Sequence, residues 1–174
     1  MKAKILWFTG LSGAGKTTIS KILKKELLKR KKIVKILDGD IFRKKNKNPN
    51  SFNKKNILKN NYSIIKYINT IVQKYEFIIV SAISPLLITR KFAKKIFKEN
   101  YIEIFVYCKI KTLEKRDTKN LYKKAKLKLI NNLIGYNSKI KYQKSNYSVI
   151  KINTDRLSKK ESNRFLINKL KKII

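Results

Sequence analysis

The chain reads Ala3-Lys4-Ile5-Leu6-Trp7-Phe8-Thr9 and continues as Gly10-Leu11-Ser12-Gly13-Ala14-Gly15-Lys16-Thr17, and this stretch decides the fold. The second part fits the pattern G-x-x-x-x-G-K-[ST] at every position, between a predicted strand and a predicted amphipathic helix. Its glycines let the backbone wrap closely around phosphate groups, towards which the following helix directs its positive dipole end. We therefore predict ATP binding by Gly10, Ser12, Gly13, Ala14, Gly15, Lys16, Thr17 and Thr18. Within this set, Lys16 is expected to reach the β- and γ-phosphates, and Thr17 to ligate Mg²⁺.

Strand and helix patterns alternate along the rest of the chain. Short β-branched runs predict buried strands at Ala3–Thr9, Ile33–Leu37, Phe77–Ala82, Ile102–Tyr107 and Val149–Ile152. Apolar stripes at helical spacing predict four helices, marked by Ile19, Ile22, Leu23 and Leu27 between Lys16 and about Arg30; by Ile57, Ile64, Ile65, Ile68 and Val72; by Phe92, Ile96 and Phe97; and by Phe165, Leu166, Leu170 and Ile173. This alternation predicts an α/β fold with about five mainly parallel strands, helices on both faces and ligands at the carboxyl ends of the strands. Together with the phosphate loop, it resembles the P-loop kinase fold.

Two segments do not fit the alternation. Arg43–Lys55 is polar and contains Pro49, which is typical of a loop. Asn120–Asn146 is basic, with interleaved Leu, Ile and Tyr residues. We interpret it as a basic lid over the site, covering roughly residues 118–146, because phosphoryl transfer needs water to be excluded. An ordinary surface helix followed by a loop is the alternative. All of these elements are expected to belong to one domain, residues 1–174.

Composition excludes several classes of site and partner. With no histidine and only Cys108, the chain excludes His-dependent triads, cysteine-cluster metal sites and an internal disulfide. The net charge of +35 comes mostly from 39 lysines spread along the chain, whereas base readout and stacking favour arginine and clustered aromatic residues. No apolar stretch reaches the roughly 20 residues of a membrane span. We expect a cytoplasmic enzyme with small nucleotide substrates and neither a membrane partner nor a specific nucleic-acid partner. The sequence leaves the oligomeric state open, with a homodimer as the expectation.

A pair of carboxylates follows the second predicted strand, in Leu37-Asp38-Gly39-Asp40. Next to a phosphate loop, one carboxylate can orient Mg²⁺ or its waters, and the other can accept a proton from an attacking hydroxyl. We assign Asp38, with Thr17, to the metal and Asp40 to catalysis. Arg43, one turn further on, can hold an anionic acceptor by a bidentate contact. A solvated Asp-Gly-Asp turn is the alternative, and the complete phosphate loop beside it makes that alternative weaker.

Four segments together resemble the adenylylsulfate kinases. They are Trp7–Thr17, Leu37–Arg43, Ile83-Ser84-Pro85 with Arg90, and Arg116-Asp117-Thr118-Lys119-Asn120-Leu121-Tyr122-Lys123-Lys124-Ala125. The segments occur in the order and spacing of the family, and the last is the most specific. The resemblance implies transfer of the γ-phosphoryl group of ATP to the 3′-hydroxyl of adenylylsulfate, with Mg²⁺, in sulfate assimilation.

The resemblance also implies roles for individual residues. It places Arg116 beside the ATP base and makes Lys16, Asp40 and Ser84 catalytic, Ser84 matching a family serine described as a phosphoserine intermediate. A structural cap before a helix at Pro85 is the alternative for Ser84. The acceptor-binding residues implied in the same way are Asp40, Arg43, Phe52, Asn56, Ile83, Ser84, Lys123 and Lys124.

The chain departs from the family pattern on the acceptor side. Phe52–Asn56 is shorter than the corresponding family segment and lacks its Asp-Arg pair. In the lid, Leu133-Ile134-Gly135-Tyr136 stands where the family has Phe-Thr-Gly-Ile, so a second stacking aromatic is absent unless Tyr136 replaces it. Two other functions therefore stay open. One is a related kinase acting on another nucleotide-linked acid, such as cytidine diphosphoramidate in capsule pathways, and the other is a basic P-loop protein that binds nucleic acid or acts as a switch.

Overall fold

A computed structural model describes residues 2–45, 53–147 and 150–171. Its five strands form one sheet in the order β2-β3-β1-β4-β5, and every neighbouring pair is parallel. The strands are β1 (Lys4–Thr9), β2 (Val34–Asp38), β3 (Phe77–Ser81), β4 (Tyr101–Tyr107) and β5 (Ile150–Asn153). The sequence predicted each of them to within one residue at either end. The predicted α/β fold is confirmed.

Helices cover both faces of the sheet. They are α1 (Lys16–Lys29), α2 (Gly39–Lys45), α3 (Lys54–Ile71), α4 (Leu87–Phe97), α5 (Ile110–Arg116), α6 (Leu121–Lys126) and α7 (Lys159–Leu170), with a 3-10 turn at Lys98–Asn100. Helices α1 and α7 pack with Leu6 and Phe8 of β1 on one face. Helices α3 and α4 pack with Ile5 and Trp7 on the other. Because successive side chains of a strand point to opposite faces, β1, which is buried from Ile5 to Thr9, contributes to both cores.

Helix α4 is buried along a face that matches the predicted stripe only in part. Of the three residues that marked this stripe, Phe97 is buried, whereas Phe92 and Ile96 are about two-fifths exposed. The buried face instead consists of Thr89, Arg90, Ala93 and Phe97. Arg90 is fully buried because its Nε lies 3.3 Å from Oε1 of Glu103, which is also buried. Apolar periodicity misses such a face, since a charged side chain is buried only when a partner elsewhere in the fold neutralises it.

The segment Arg43–Lys55 is helical at both ends, so its prediction as a loop is wrong there. Residues 43–45 complete α2, and α3 begins at Lys54. The start of α3 is capped by Asn53, whose side chain accepts a hydrogen bond of 2.8 Å from the Asn56 amide. Residues 46–52, including Pro49 and Phe52, lie outside the described residues, as does Ile173.

The predicted lid contains one short helix, α6, followed by turns and irregular backbone up to residue 147. Asp117 holds the start of α6, because its carboxylate accepts hydrogen bonds from the Tyr122 and Lys123 amides. The Tyr122 hydroxyl donates to the Ser12 carbonyl at 3.0 Å, which ties this segment to the phosphate loop. In the described part of the chain, no helix is long and apolar enough to cross a membrane.

Candidate active site

The phosphate loop between β1 and α1 takes its shape from backbone packing. Gly10 has a φ of 137°, and a Cβ atom there would lie only 2.0 Å from the Val106 carbonyl oxygen of β4. Gly13 and Gly15 also have positive φ angles, of 76° and 98°. Glycine adopts such angles at little cost, whereas other residues are strained there. The loop therefore requires its glycines both for close approach to the sheet and for the turn into α1.

Lys16 is buried at the centre of this loop, and its Nζ donates to the Leu11 carbonyl at 2.7 Å. Burial lowers the pKa of Lys16 to about 8, even though the carboxylates of Asp40 and Asp38 favour its charged form. An anion placed beside Nζ would favour the ammonium form again. The lysine is thus held ready for a phosphate group.

Oxygen ligands meet at the carboxyl ends of β2 and β3. Thr17 Oγ1 lies 3.4 Å from Asp38 Oδ2 and 3.2 Å from the hydroxyl of Ser81, a residue that the sequence did not single out. Hard oxygen donors suit Mg²⁺, which keeps several waters and takes other ligands from substrate phosphates. The described residues contain no group of three or more His, Cys, Asp or Glu side chains that could hold a metal alone. Thr17 and Asp38 therefore fit a Mg²⁺ ion that shares its shell with nucleotide phosphates.

Asp40 is held by two cations from different parts of the chain. Arg43 Nη2 lies 2.7 Å from its Oδ1, and Lys119 Nζ lies 2.6 Å from its Oδ2. Burial raises the pKa of Asp40, but the hydrogen bonds and charges of Lys119 and Arg43 outweigh burial and lower it below its usual value. Asp40 is consequently ionised at neutral pH. No role was predicted for Lys119, although the Arg-Asp-x-Lys part of the most specific segment contained the signal.

One cavity of about 930 Å³ joins the phosphate loop to Asp40. The predicted residues that line it are Ser12, Gly13, Gly15, Lys16, Thr17, Thr18, Asp38, Asp40, Arg43, Ile83 and Arg116. Lys119, Ile134 and Thr154 complete its walls. Gly10 and Ala14 are buried behind the loop and shape it from there.

Arg116 lies at the phosphate-loop end of this cavity. Its guanidinium donates to the carbonyl and hydroxyl of Thr154, at 2.6 and 3.2 Å. The Thr154 hydroxyl in turn donates to the Ala14 carbonyl at 3.0 Å. Arg116 is therefore connected to the phosphate loop through Thr154, a residue just past β5 that the sequence analysis did not identify.

Ser84 is buried beside the acceptor end of the cavity. Its hydroxyl donates to Asn61 Oδ1 at 2.7 Å and accepts from Trp7 Nε1 at 3.0 Å. The predicted cap is wrong, because α4 begins at Leu87 and its N-cap residue is Leu86. Asn56, Ile83 and Ser84 lie together with Asp40 and Arg43 around a small pocket of about 30 Å³. The structure thus groups five of the predicted acceptor residues and engages the Ser84 hydroxyl in structural hydrogen bonds.

A model of the adenylylsulphate kinase family matches residues 2–153 of the chain. The chain belongs to the adenylylsulfate kinase family. An adenylyl-sulfate kinase of Bacteroides thetaiotaomicron is 35% identical over 171 residues, covering 97% of this chain and 84% of that protein. A probable adenylyl-sulfate kinase of Pyrococcus abyssi is 33% identical over 173 residues, covering 99% and 98%. The solved structure of Mycobacterium tuberculosis APS kinase CysC in complex with AMPPNP and APS superposes with a TM-score of 0.87, at 28% identity and 98% coverage of both chains.

Within this family pattern, Tyr136 does not supply an aromatic wall to the acceptor pocket. Its hydroxyl donates to Glu114 at 3.0 Å, and its ring packs edge-on against Tyr122. The lid residue that reaches the main cavity is Ile134, which is buried against Ile57. Among the described residues, the lid therefore contributes an aliphatic and not an aromatic side chain to the main cavity at this position.

Two other predicted acceptor residues lie apart from this group, and a third is not described. Lys123 and Lys124 are exposed on α6, while Lys119 and Leu121 of the same segment line the cavity. Phe52 lies outside the described residues. Acceptor binding by these three residues stays a prediction.

Proposed function

We propose that this protein transfers the γ-phosphoryl group of ATP to the 3′-hydroxyl of adenylylsulfate, yielding 3′-phosphoadenylylsulfate and ADP. The observation that carries this proposal is that Lys16 and Thr17 of the phosphate loop line the same cavity as Asp40, Arg43 and Lys119. Two nucleotides that meet in one cavity can place donor phosphate and acceptor hydroxyl in line. Membership of the adenylylsulfate kinase family supports this acceptor.

The donor half binds ATP by its triphosphate. Backbone N–H groups of the phosphate loop and the start of α1 surround the phosphates, and Lys16 exchanges the Leu11 carbonyl for phosphate oxygens. Mg²⁺, held through Thr17 and Asp38, would neutralise charge on the β- and γ-phosphates. Arg116 and Thr154 lie where the rest of the nucleotide extends along the cavity.

On the acceptor side, Asp40 serves to orient the attacking hydroxyl. A carboxylate with a lowered pKa is a weak base, so it is poorly suited to removing the hydroxyl proton before the phosphoryl group begins to transfer. In a loose transition state, little proton removal is required early in the reaction. Arg43 and Lys119 keep Asp40 in place and provide positive charge for an anionic acceptor.

The segment of roughly 118–146 acts in this proposal as a lid that closes over both nucleotides. It is anchored to the phosphate loop by the hydrogen bond from Tyr122 to Ser12 and by contact of Gly135 with Leu11. Closure would exclude water, which otherwise competes with the acceptor for the phosphoryl group. In this proposal, the reaction takes place in the cytoplasm, where ATP is available. The protein is expected to form a homodimer, and sedimentation of the purified chain tests this expectation.

The deciding experiment supplies MgATP with either adenylylsulfate or cytidine diphosphoramidate and follows ADP release. We expect turnover with adenylylsulfate and formation of 3′-phosphoadenylylsulfate, identified by mass spectrometry. The Lys16→Ala variant serves as the control for contaminating kinases. Turnover with cytidine diphosphoramidate but not with adenylylsulfate would show that the proposed acceptor is wrong. Selective nucleic-acid binding at physiological salt, without acceptor-dependent ADP release, would remove the kinase proposal.

A further inference from the structure

A second cavity of about 820 Å³ lies on the other side of the phosphate loop from the main one. It is bounded by Leu11 of that loop, by Gly135 and Tyr136 of the lid segment, and by the face of β4 that carries Phe105 and Tyr107. The two cavities share no lining residue among those described. Leu11 and Gly135 are the two lining residues that the phosphoryl transfer proposed above also uses, and the aromatic and lysine side chains of the second cavity have no part in it.

Three aromatic rings form one wall of this second cavity. The ring of Phe105 is nearly parallel to those of Tyr107 and Tyr142, with interplanar angles of 19° and 17° and centroid distances of 5.8 and 5.2 Å. Tyr142 is fixed by a 2.9 Å hydrogen bond between its hydroxyl and that of Thr9. Tyr107 is 38% exposed. The rings therefore form a preorganised surface that ends in an accessible face, on which another planar ring can stack.

Positive charge surrounds the aromatic wall. Lys141, Lys144 and Lys151 line the cavity, and in the described residues none of them forms an ion pair. The one carboxylate of the described lining belongs to Glu103, which is buried and paired with Arg90. It therefore leaves the three lysine charges uncompensated. Lysines are common over the whole chain, but here they border a stacked set of rings.

We propose that this second cavity binds a mononucleotide, with its base stacked on the aromatic wall and its phosphates between the three lysines. A planar ring that carries negative charge matches both features, because bases stack on aromatic side chains and phosphates pair with lysine ammonium groups. Leu11 lies at the boundary of the cavity and accepts the hydrogen bond from Lys16 Nζ in the free protein. A nucleotide bound there would contact the residue that holds the P-loop lysine before ATP arrives.

Photolabelling with 8-azido-ADP and mapping by mass spectrometry tests this proposal on the full chain. We expect label on residues 136–147 in addition to label on the phosphate loop. The double variant Tyr107→Ala/Lys151→Glu should lower the label on residues 136–147 about tenfold, since one stacked ring and one phosphate contact are lost. Label on the phosphate loop and kinase turnover should not change. Lys25→Glu, at an exposed position of α1, is the control for a reversed surface charge.

Three results would overturn the proposal. The first is an absence of label on residues 136–147, or label there that the double variant does not reduce. The second is self-association of the wild-type chain in sedimentation that the double variant abolishes, since the surface would then be a contact between copies. The third is displacement of the label by a single-stranded oligonucleotide at a lower concentration, counted in nucleotides, than the concentration of ADP that is needed. A nucleic-acid strand would then be the ligand. Kinase turnover is measured separately, so loss of this site and failure of the proposed function are distinguishable.

Discussion

The donor and acceptor halves of the site are built by different kinds of contact. In the donor half, the backbone decides the geometry: Gly10 packs against the Val106 carbonyl, and Thr154 donates to the Ala14 carbonyl. In the acceptor half, side-chain charges decide it, because Asp40 is held by Arg43 and Lys119. A backbone cradle binds any nucleoside triphosphate and tolerates few changes, whereas a set of charged side chains can be altered one residue at a time. Single substitutions are therefore expected to alter specificity in the acceptor half more readily than in the donor half.

The largest effect should come from the donor half, in Lys16→Ala. Removing the ammonium group that is buried in the phosphate loop should lower kcat at least about 10²–10³-fold, the cost of losing one preorganised charge-stabilising donor. ADP release in the presence of adenylylsulfate measures the loss. Lys25→Ala, an exposed lysine of the same helix, should retain wild-type turnover. Substantial acceptor-dependent activity in Lys16→Ala would contradict the assignment of the phosphate loop.

Asp40→Asn should separate the two halves most clearly. We expect kcat to fall about 10²-fold, the loss that misplacement of a reacting group can cause, while the Kd of a non-hydrolysable ATP analogue stays nearly constant. The amide keeps the size of the carboxylate but loses the charge that Arg43 and Lys119 hold. Steady-state kinetics and calorimetry measure the two quantities. Glu26→Gln on the surface of α1 is the control, and a parallel loss of ATP affinity would show that the halves are not separable.

Lys119→Met should have a smaller effect, confined to the acceptor half. The Lys119–Asp40 pair is about half exposed on both sides, so its loss should cost less than about 1 kcal/mol of stability. Turnover at low acceptor concentration should fall about tenfold, since each 1.4 kcal/mol of lost acceptor or transition-state interaction is a factor of ten. Lys126→Met, at an exposed position of α6, should have no such effect. Unchanged kcat/KM for the acceptor in Lys119→Met would show that the contact between Lys119 and Asp40 belongs to the free protein and has no effect on the acceptor.

Nucleotide affinity should fall as the pH rises through about 8. Burial lowers the pKa of Lys16 to about 8 in the free chain, and phosphate oxygens should raise it in the complex. Above this pH, binding therefore takes up a proton, and the affinity should fall by up to about tenfold per pH unit. Calorimetry with a non-hydrolysable ATP analogue between pH 7 and 9.5 tests this. The Lys16→Met variant should bind weakly with no pH dependence in this range, and a flat wild-type profile would show that Lys16 stays charged throughout.

The smallest effect on turnover is expected for Ser84→Ala. Its hydroxyl joins Trp7 to Asn61, so its loss leaves buried polar groups without their partner and should cost about 1–3 kcal/mol of unfolding free energy. Because in-line transfer needs no covalent intermediate, kcat should stay within about threefold of wild type. Urea unfolding and ADP release measure the two effects. A stable but inactive variant, or isolation of a phosphoserine at Ser84, would restore the catalytic interpretation.

The fold was predictable because its signals are local. In the sequence, a buried parallel strand corresponds to a short run of β-branched residues, and the phosphate loop corresponds to a pattern of eight consecutive residues. The prediction was wrong where burial depends on distant partners, as at Arg90 on α4, whose charge is paired with that of Glu103. The helical ends of Arg43–Lys55 were missed for a similar reason. Their polar residues form no apolar stripe, and they are helical because they belong to α2 and α3, which pack elsewhere in the fold.

By itself, the sequence determined the five strands, the helices α1, α3, α4 and α7, the phosphate loop and the approximate position of Asp40 at the end of β2, but it did not predict α2 or α5. Only the tertiary structure decided which side chains meet: Lys119 with Asp40 across 79 positions, Ser84 with Trp7 across 77, and Thr154 with Ala14 across 140. It also directed Tyr136 to the second cavity and Ile134 to the main one. Local patterns report backbone conformation, whereas contacts between segments depend on how the sheet and its helices bring distant residues together.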